Sequence, residues 1–258
     1  MKAGINLFSL RKFLSCEADY INTVLRLRDM GYSYLQFSGA PYDADMIARA
    51  GAESGLPTVL THVPYDRIIN DTDALMEEHT RFGCKNIGLG AMPRERILDE
   101  KLARETVEEL QLAAEKMDKY GFKFFYHHHH FEFIRMGEET LFDYMVKNAP
   151  KINFTVDTYW LQYGGVSIVD TIRRLRGRIG CIHLKDYGIV TEKDDSGNVT
   201  FRPIFMPVGD GNIDFISVRD AALASGAEYF LVEQDNASTN PDPFGDVERS
   251  IRFIREVL

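Results

Sequence analysis

Residues 99–130 read DEKLARETVEELQLAAEKMDKYGFKFFYHHHH, and the change of character inside this stretch decides the fold. From Asp99 to Tyr120 apolar residues recur at threes and fours among charges, at Leu102, Val107, Leu110, Leu112, Ala114 and Met117. That spacing predicts one buried face of a helix. Gly121 breaks the pattern where a left-handed cap residue is needed, and a Phe- and Tyr-rich run follows, the composition of a buried strand. The strand then ends in four consecutive histidines, His127–His130, with aromatic residues on both sides. A purification tag belongs at a terminus and a solvated tract has polar neighbours. A site that needs neutral nitrogen ligands is the reading that remains.

The same succession repeats along the chain. Apolar runs at 3–9, 32–38, 57–63, 84–90, 122–128, 152–158, 179–185 and 228–234 make eight strand candidates separated by helical spacing. Gly31, Gly55, Gly83, Gly121, Gly177 and Gly226 each fall between a helical pattern and the next strand. Eight βα units in 258 residues predict an α/β fold, a (β/α)8 TIM barrel forming one domain over residues 1–258. A doubly wound open sheet is the rival, but no G-x-G-x-x-G follows the first strand. The 26 residues Tyr187–Asn212 are too long for a simple connection after strand 7. They predict a hairpin turning at Ser196-Gly197-Asn198, acting as a flap over the site or an oligomer contact.

Net charge is −9 and no basic run exceeds pairs such as Arg173–Arg174, which argues against nucleic acid as a partner. No apolar run reaches the roughly 18–20 residues of a membrane helix, and the first residues read as a strand rather than a signal peptide. Cys16, Cys84 and Cys181 are too far apart for a framework of disulfides or a structural zinc site, so a reduced cytoplasmic setting is expected.

Active sites of such barrels form at the C-terminal ends of the strands. Strand 3 ends in His62, strand 5 in His127–His130, strand 6 in Asp157, strand 7 in His183 to Asp186, and strand 8 in Glu233 to Asp235. Strands 1 and 4 end without an ionisable group and strand 2 ends at Ser38. A lone strand-end Asp is commonly a helix cap, and a lone His a satisfied core residue. Imidazoles and carboxylates on successive strand ends point instead to a divalent-metal site, of a mixed N/O kind suited to Mn²⁺, Zn²⁺, Fe²⁺ or Co²⁺ rather than Ca²⁺.

The motifs YHHHHFEF, VDTYW, GRIGCIHLKD, VGDGNIDF and VEQD, in this order, resemble the xylose isomerase-like TIM-barrel superfamily, in its sugar phosphate isomerase/epimerase branch. That superfamily is related to AP endonuclease family 2 and inosose dehydratase. The resemblance spans the chain and implies one divalent ion, usually Mn²⁺ (Zn²⁺, Co²⁺, Fe²⁺ and Mg²⁺ being alternatives), and a sugar or keto-polyol substrate. It carries metal ligation onto Asp157, His183 and Glu233. Many epimerases of the superfamily have a glutamate on strand 5 where this chain has His127, a departure that brings it nearer to the inosose dehydratase type. The implied activity is a metal-dependent sugar isomerase or epimerase working through a metal-stabilised enediolate. The alternative is a metal-dependent lyase, a keto-polyol dehydratase. An apurinic endonuclease relative would need more ligands on strands 2 to 4 and basic loops, and a non-catalytic subunit would not need the Asp157/His183/Glu233 set.

Strand alternation places His127 and His129 on the inner side, and His128 and His130 towards the helices or rim. His127 then takes the ligand position left by the glutamate, with His129 and Glu132 as alternatives. Glu233 is the expected base, and His129, Glu132 and Lys185 are candidates for the opposite face of the substrate. Glu132 could instead be a turn residue or cap for a helix beginning near Glu138, and Lys185 an ion-pair partner of Asp186. His62 and Trp160 are expected to touch the substrate, and a homo-oligomer is possible.

Overall fold

A computed structural model describes residues 1–258. The barrel is closed by eight parallel strands: 1 (Gly4–Asn6), 2 (Leu35–Phe37), 3 (Thr58–His62), 4 (Asn86–Leu89), 5 (Lys123–His127), 6 (Ile152–Asp157), 7 (Ile179–Leu184) and 8 (Tyr229–Val232). Strand 1 closes the ring by pairing with strands 2 and 8. All six glycines read as helix terminators have positive φ, from 71° at Gly83 to 99° at Gly31. Each gives the chain the sharp left-handed exit that turns a helix back towards the next strand.

The helix foreseen in the opening stretch spans Glu100–Lys119, capped by Asp99, whose side chain accepts from Leu102 N. Its buried face is Ala103, Thr106, Val107, Leu110, Ala113, Ala114 and Met117. Leu102 and Leu112, expected on that face, are exposed, because they lie at the edges of the arc that meets the barrel. The helix expected near Glu138 begins at Leu141 instead. A two-rung hairpin, Arg135–Met136 with Glu139–Thr140, comes first, and Thr140 and Asp143 form a capping box at the helix start.

After strand 7, Asp186–Lys193 and Val199–Met206 form an antiparallel hairpin. Its turn is held by Asp194 Oδ1, which accepts from the amides of Ser196 and Asn198, while Gly197 adopts φ 84°. Tyr187 and Phe205 at the base of the hairpin pack edge-on against Tyr159. No helix is long and apolar enough to cross a membrane.

Inside the barrel, Tyr34, Leu60, Phe125, Cys181 and Leu231 belong to a separate apolar cluster. Alternation then requires the next inward residues of strands 5, 7 and 8 to be His127, His183 and Glu233. The polar layer therefore rests on an apolar floor.

Candidate metal centre

Register brings the functional side chains to one height. Asp157 pairs directly with His183, and Val232 with Leu184, which sets Glu233 beside Lys185. His127, Asp157, His183 and Glu233 are all buried, and one donor atom from each lies within 4.8 Å of the others. His127 Nε2 is 3.4 Å from Asp157 Oδ2 and 4.0 Å from Glu233 Oε2. His183 Nδ1 is 3.7 Å from Asp157 Oδ2 and 2.6 Å from Glu233 Oε2.

The remaining polar atom of each residue is anchored. His127 Nδ1 donates to Gly90 O at 2.8 Å, and His183 Nε2 donates to Gln36 Oε1 at 2.7 Å. Asp157 Oδ1 accepts from Trp160 N at 2.9 Å, capping the helix Thr158–Tyr163, and Glu233 Oε1 accepts from Asn6 Nδ2 at 2.9 Å. Anchoring the outer nitrogen of each imidazole fixes its tautomer and turns the lone pair of the other nitrogen inward, as metal-binding histidines require. Gln36 Nε2 also meets His62 Nε2 at 2.7 Å, and the His62 ring stacks on His127 at 5.3 Å. Burial and the neighbouring His127 and His183 hold His62 well below the usual imidazole pKa.

These residues fit a divalent ion. His183 Nδ1 and Glu233 Oε2 are buried and face each other at 2.6 Å, with no partner outside the cluster of donors and Lys185. Burial opposes charge on His183, but Glu233 and Asp157 outweigh it and raise its pKa. The donors thus converge on a place that calls for positive charge, and two imidazole nitrogens with two carboxylate oxygens are the donor set of Mn²⁺, Zn²⁺, Fe²⁺ or Co²⁺.

Lys185 adds a cation of its own. Its side chain is 1% exposed, with Nζ 3.1 Å from Asp157 Oδ2, 3.2 Å from Glu233 Oε2 and 3.0 Å from Asp235 Oδ1. Burial disfavours the ammonium, but the three carboxylates outweigh it and raise its pKa. Burial likewise works against ionised Asp157 and Glu233, and Lys185 is the main group that offsets it and holds both well below the carboxylate range. The ion pair of Lys185 with Asp186 is not formed. Asp186 accepts instead from the backbone amides of Tyr187, Gly209, Gly211 and Ile213, stapling the return of the long hairpin.

The histidine run divides as alternation requires, with one refinement. His129 lies against His127 at 4.6 Å between ring centres, and His130 is exposed against Trp160 and Tyr163. His128 is fully buried against Phe133 and Phe142, and its Nε2 accepts from the Asp157 amide at 3.1 Å. Burial pushes its pKa down to about 3, so it stays a neutral acceptor. Glu132, expected to reach substrate or metal, is turned away from the donor set. The turn Phe131–Phe133 folds it back, so its carboxylate accepts from Tyr126 Oη at 2.5 Å and His129 N at 2.7 Å. Tyr126 lies next to His127 on the strand and so points to the opposite side of the sheet.

Asn6 and Gln36 carry no charge and so do not stand out among the ionisable strand ends. Their signal was a carboxamide inside an apolar run, INLF and YLQF.

Residues 24–257 match the family model for the xylose isomerase-like TIM barrel. An inosose dehydratase of Lactiplantibacillus plantarum is 26% identical over 249 residues, covering 92% of this chain and 80% of that protein. An inosose dehydratase of Geobacillus thermodenitrificans is 33% identical over 153 residues, 56% of this chain and 50% of that one. A sugar phosphate isomerase/epimerase structure from Parabacteroides distasonis superposes with a TM-score of 0.80 over 99% of this chain and 94% of its own, at 21% identity. With the matched residues running through nearly every barrel strand, the chain belongs to the xylose isomerase-like TIM barrel family.

Proposed function

We propose that this chain is a divalent-metal-dependent enzyme that removes a proton next to the carbonyl of a keto-polyol or sugar, with loss of water as the favoured outcome. The observation that carries this reading is the set of four buried donors whose outer atoms are all anchored. An ion held by His127, Asp157, His183 and Glu233 would polarise the carbonyl and offset the charge of the enediolate. The Glu233 carboxylate, oriented by Asn6, takes the proton. Lys185, an ammonium 3.2 Å from Glu233 Oε2, gives a proton to the departing β-hydroxyl and recovers one from Glu233. The C–H and C–O bonds break, a C=C bond forms, and the proton leaves in water.

Dehydration is favoured because His127 commits both its nitrogens, which leaves no second carboxylate at the strand-5 position for a two-base epimerisation. The two inosose dehydratases similar to this chain support the same choice. Isomerisation or epimerisation of a keto or aldo sugar is the second reading, resting on His129, whose buried Nδ1 has no partner and would serve as the second base. The test is a panel of keto-inositols and keto-sugars with Mn²⁺ followed by NMR in D₂O. An absorbing enone is expected from wild type and not from Glu233→Gln. Full activity in Glu233→Gln, or full metal content in Asp157→Ala, would overturn the reading.

A further inference from the structure

We propose that Asp235, His129 and Trp160 form a hydroxyl-reading wall beside the metal ligands, which selects an uncharged polyol over its phosphate ester. The inference rests on the metal-dependent reading above and adds the substrate class.

Two polar atoms at this wall, His129 Nδ1 and Trp160 Nε1, are buried without a hydrogen-bond partner, and a third, Asp235 Oδ1, has only Lys185 Nζ beside it. Unpartnered buried polar groups are costly, and where they gather beside a reactive centre a ligand is the natural partner. They do gather. The His129 ring is 5.1 Å from Trp160 and 4.6 Å from His127. Lys185 Nζ sits 5.2 Å from the Trp160 ring and 3.0 Å from Asp235 Oδ1, and the Asp235 side chain is 25% exposed. The wall therefore runs from the buried donor set towards solvent.

The chemistry of the three atoms narrows the ligand. An indole N–H only donates and a carboxylate only accepts, so a ligand matching both must do both. A hydroxyl does; a phosphate dianion only accepts. Charge points the same way. Asp157, Glu233 and Asp235 surround the single ammonium of Lys185. Arg11 uses Nη1 on the carbonyls of Phe8 and Asp235 and lies over the Phe8 ring. Trp160 and Phe205, 6.0 Å apart, offer aromatic faces to the C–H side of a polyol.

The test uses Mn²⁺-loaded full-length protein, with manganese occupancy read by electron paramagnetic resonance and ligand affinity by calorimetry. The probes are the unreactive polyols myo-inositol and xylitol, and inositol monophosphate. At least one polyol is expected to bind about tenfold tighter than the monophosphate, and Trp160→Phe and Asp235→Asn to weaken it by about tenfold. Trp160→Phe should leave the manganese affinity unchanged. Tighter binding of the monophosphate, no binding of either polyol, or unaltered polyol affinity in both variants would overturn the wall while leaving the metal centre standing. Failure of the wild-type protein to bind manganese would overturn the metal-dependent reading, and the wall with it.

Discussion

His183 donates its Nε2 proton to Gln36 Oε1 at 2.7 Å, which leaves Nδ1 as the nitrogen that faces Asp157 and Glu233. An uncharged carboxamide on strand 2 thus sets the orientation of an imidazole of the candidate donor set on strand 7. Gln36→Leu should lower Mn²⁺ affinity 10- to 100-fold without touching a ligand, as loss of an outer partner does in other metal sites. Manganese titration followed by electron paramagnetic resonance checks this, and an unchanged affinity would show that packing alone orients the ring.

Lys185 neutralises the carboxylates that a metal would also neutralise. Lys185→Met should therefore weaken the metal-free protein by about 3–5 kcal/mol, the usual cost of breaking a buried ion pair from one side. In a chain of this size that lowers Tm by on the order of 10 °C. Mn²⁺ should restore more of the variant's Tm than it adds to wild type, because the ion supplies the missing charge. Thermal melts with and without chelator measure both effects.

Burial raises the Glu132 pKa to about 7, despite bonds from Tyr126 and His129 that favour the ionised form. The unfolded chain ionises this carboxyl near its ordinary value, so the folded state holds the extra proton between about pH 4.5 and 7. Its contribution is full below that window and is lost as pH rises through it. Glu132→Gln removes the titration, so the variant should gain stability relative to wild type across the window, by on the order of 3 kcal/mol. Urea unfolding at pH 5 and pH 8 gives the difference directly.

His128 accepts the amide of Asp157, a fully buried donor. His128→Leu should cost about 1–3 kcal/mol, the penalty of an orphaned buried donor. His128→Asn, which keeps an acceptor oxygen, should recover part of it. Equal losses in the two variants, measured by denaturant unfolding, would assign the effect to packing against Phe133 and Phe142 instead.

The barrel was legible because its punctuation is local: a glycine with positive φ at Gly31, Gly55 or Gly121 is needed by the backbone itself, whatever the tertiary context. The donors on strands 5 to 8 were legible for a related reason, since alternation fixes which side of a strand each residue faces. What escaped depended on folding back. Glu132 lies beyond the strand, and only the turn Phe131–Phe133 decides that it returns to Tyr126 rather than entering the barrel. Lys185 and Asp186 are neighbours in sequence, yet they are bound to different partners, because adjacent residues of an extended chain point apart. Asn6 and Gln36 carry no charge, so their importance emerges only when the strands are set side by side.

The four donors all come from strands 5 to 8 of the barrel, whereas Asn6, Gln36 and the carbonyl of Gly90 belong to strands 1 and 2 and the loop after strand 4. One half of the barrel carries the donors, and the other orients three of them, His127, His183 and Glu233. A related barrel could keep all four donors and still lose its activity through a change at Asn6 or Gln36, so recognising a working member means reading the half that holds no ligand.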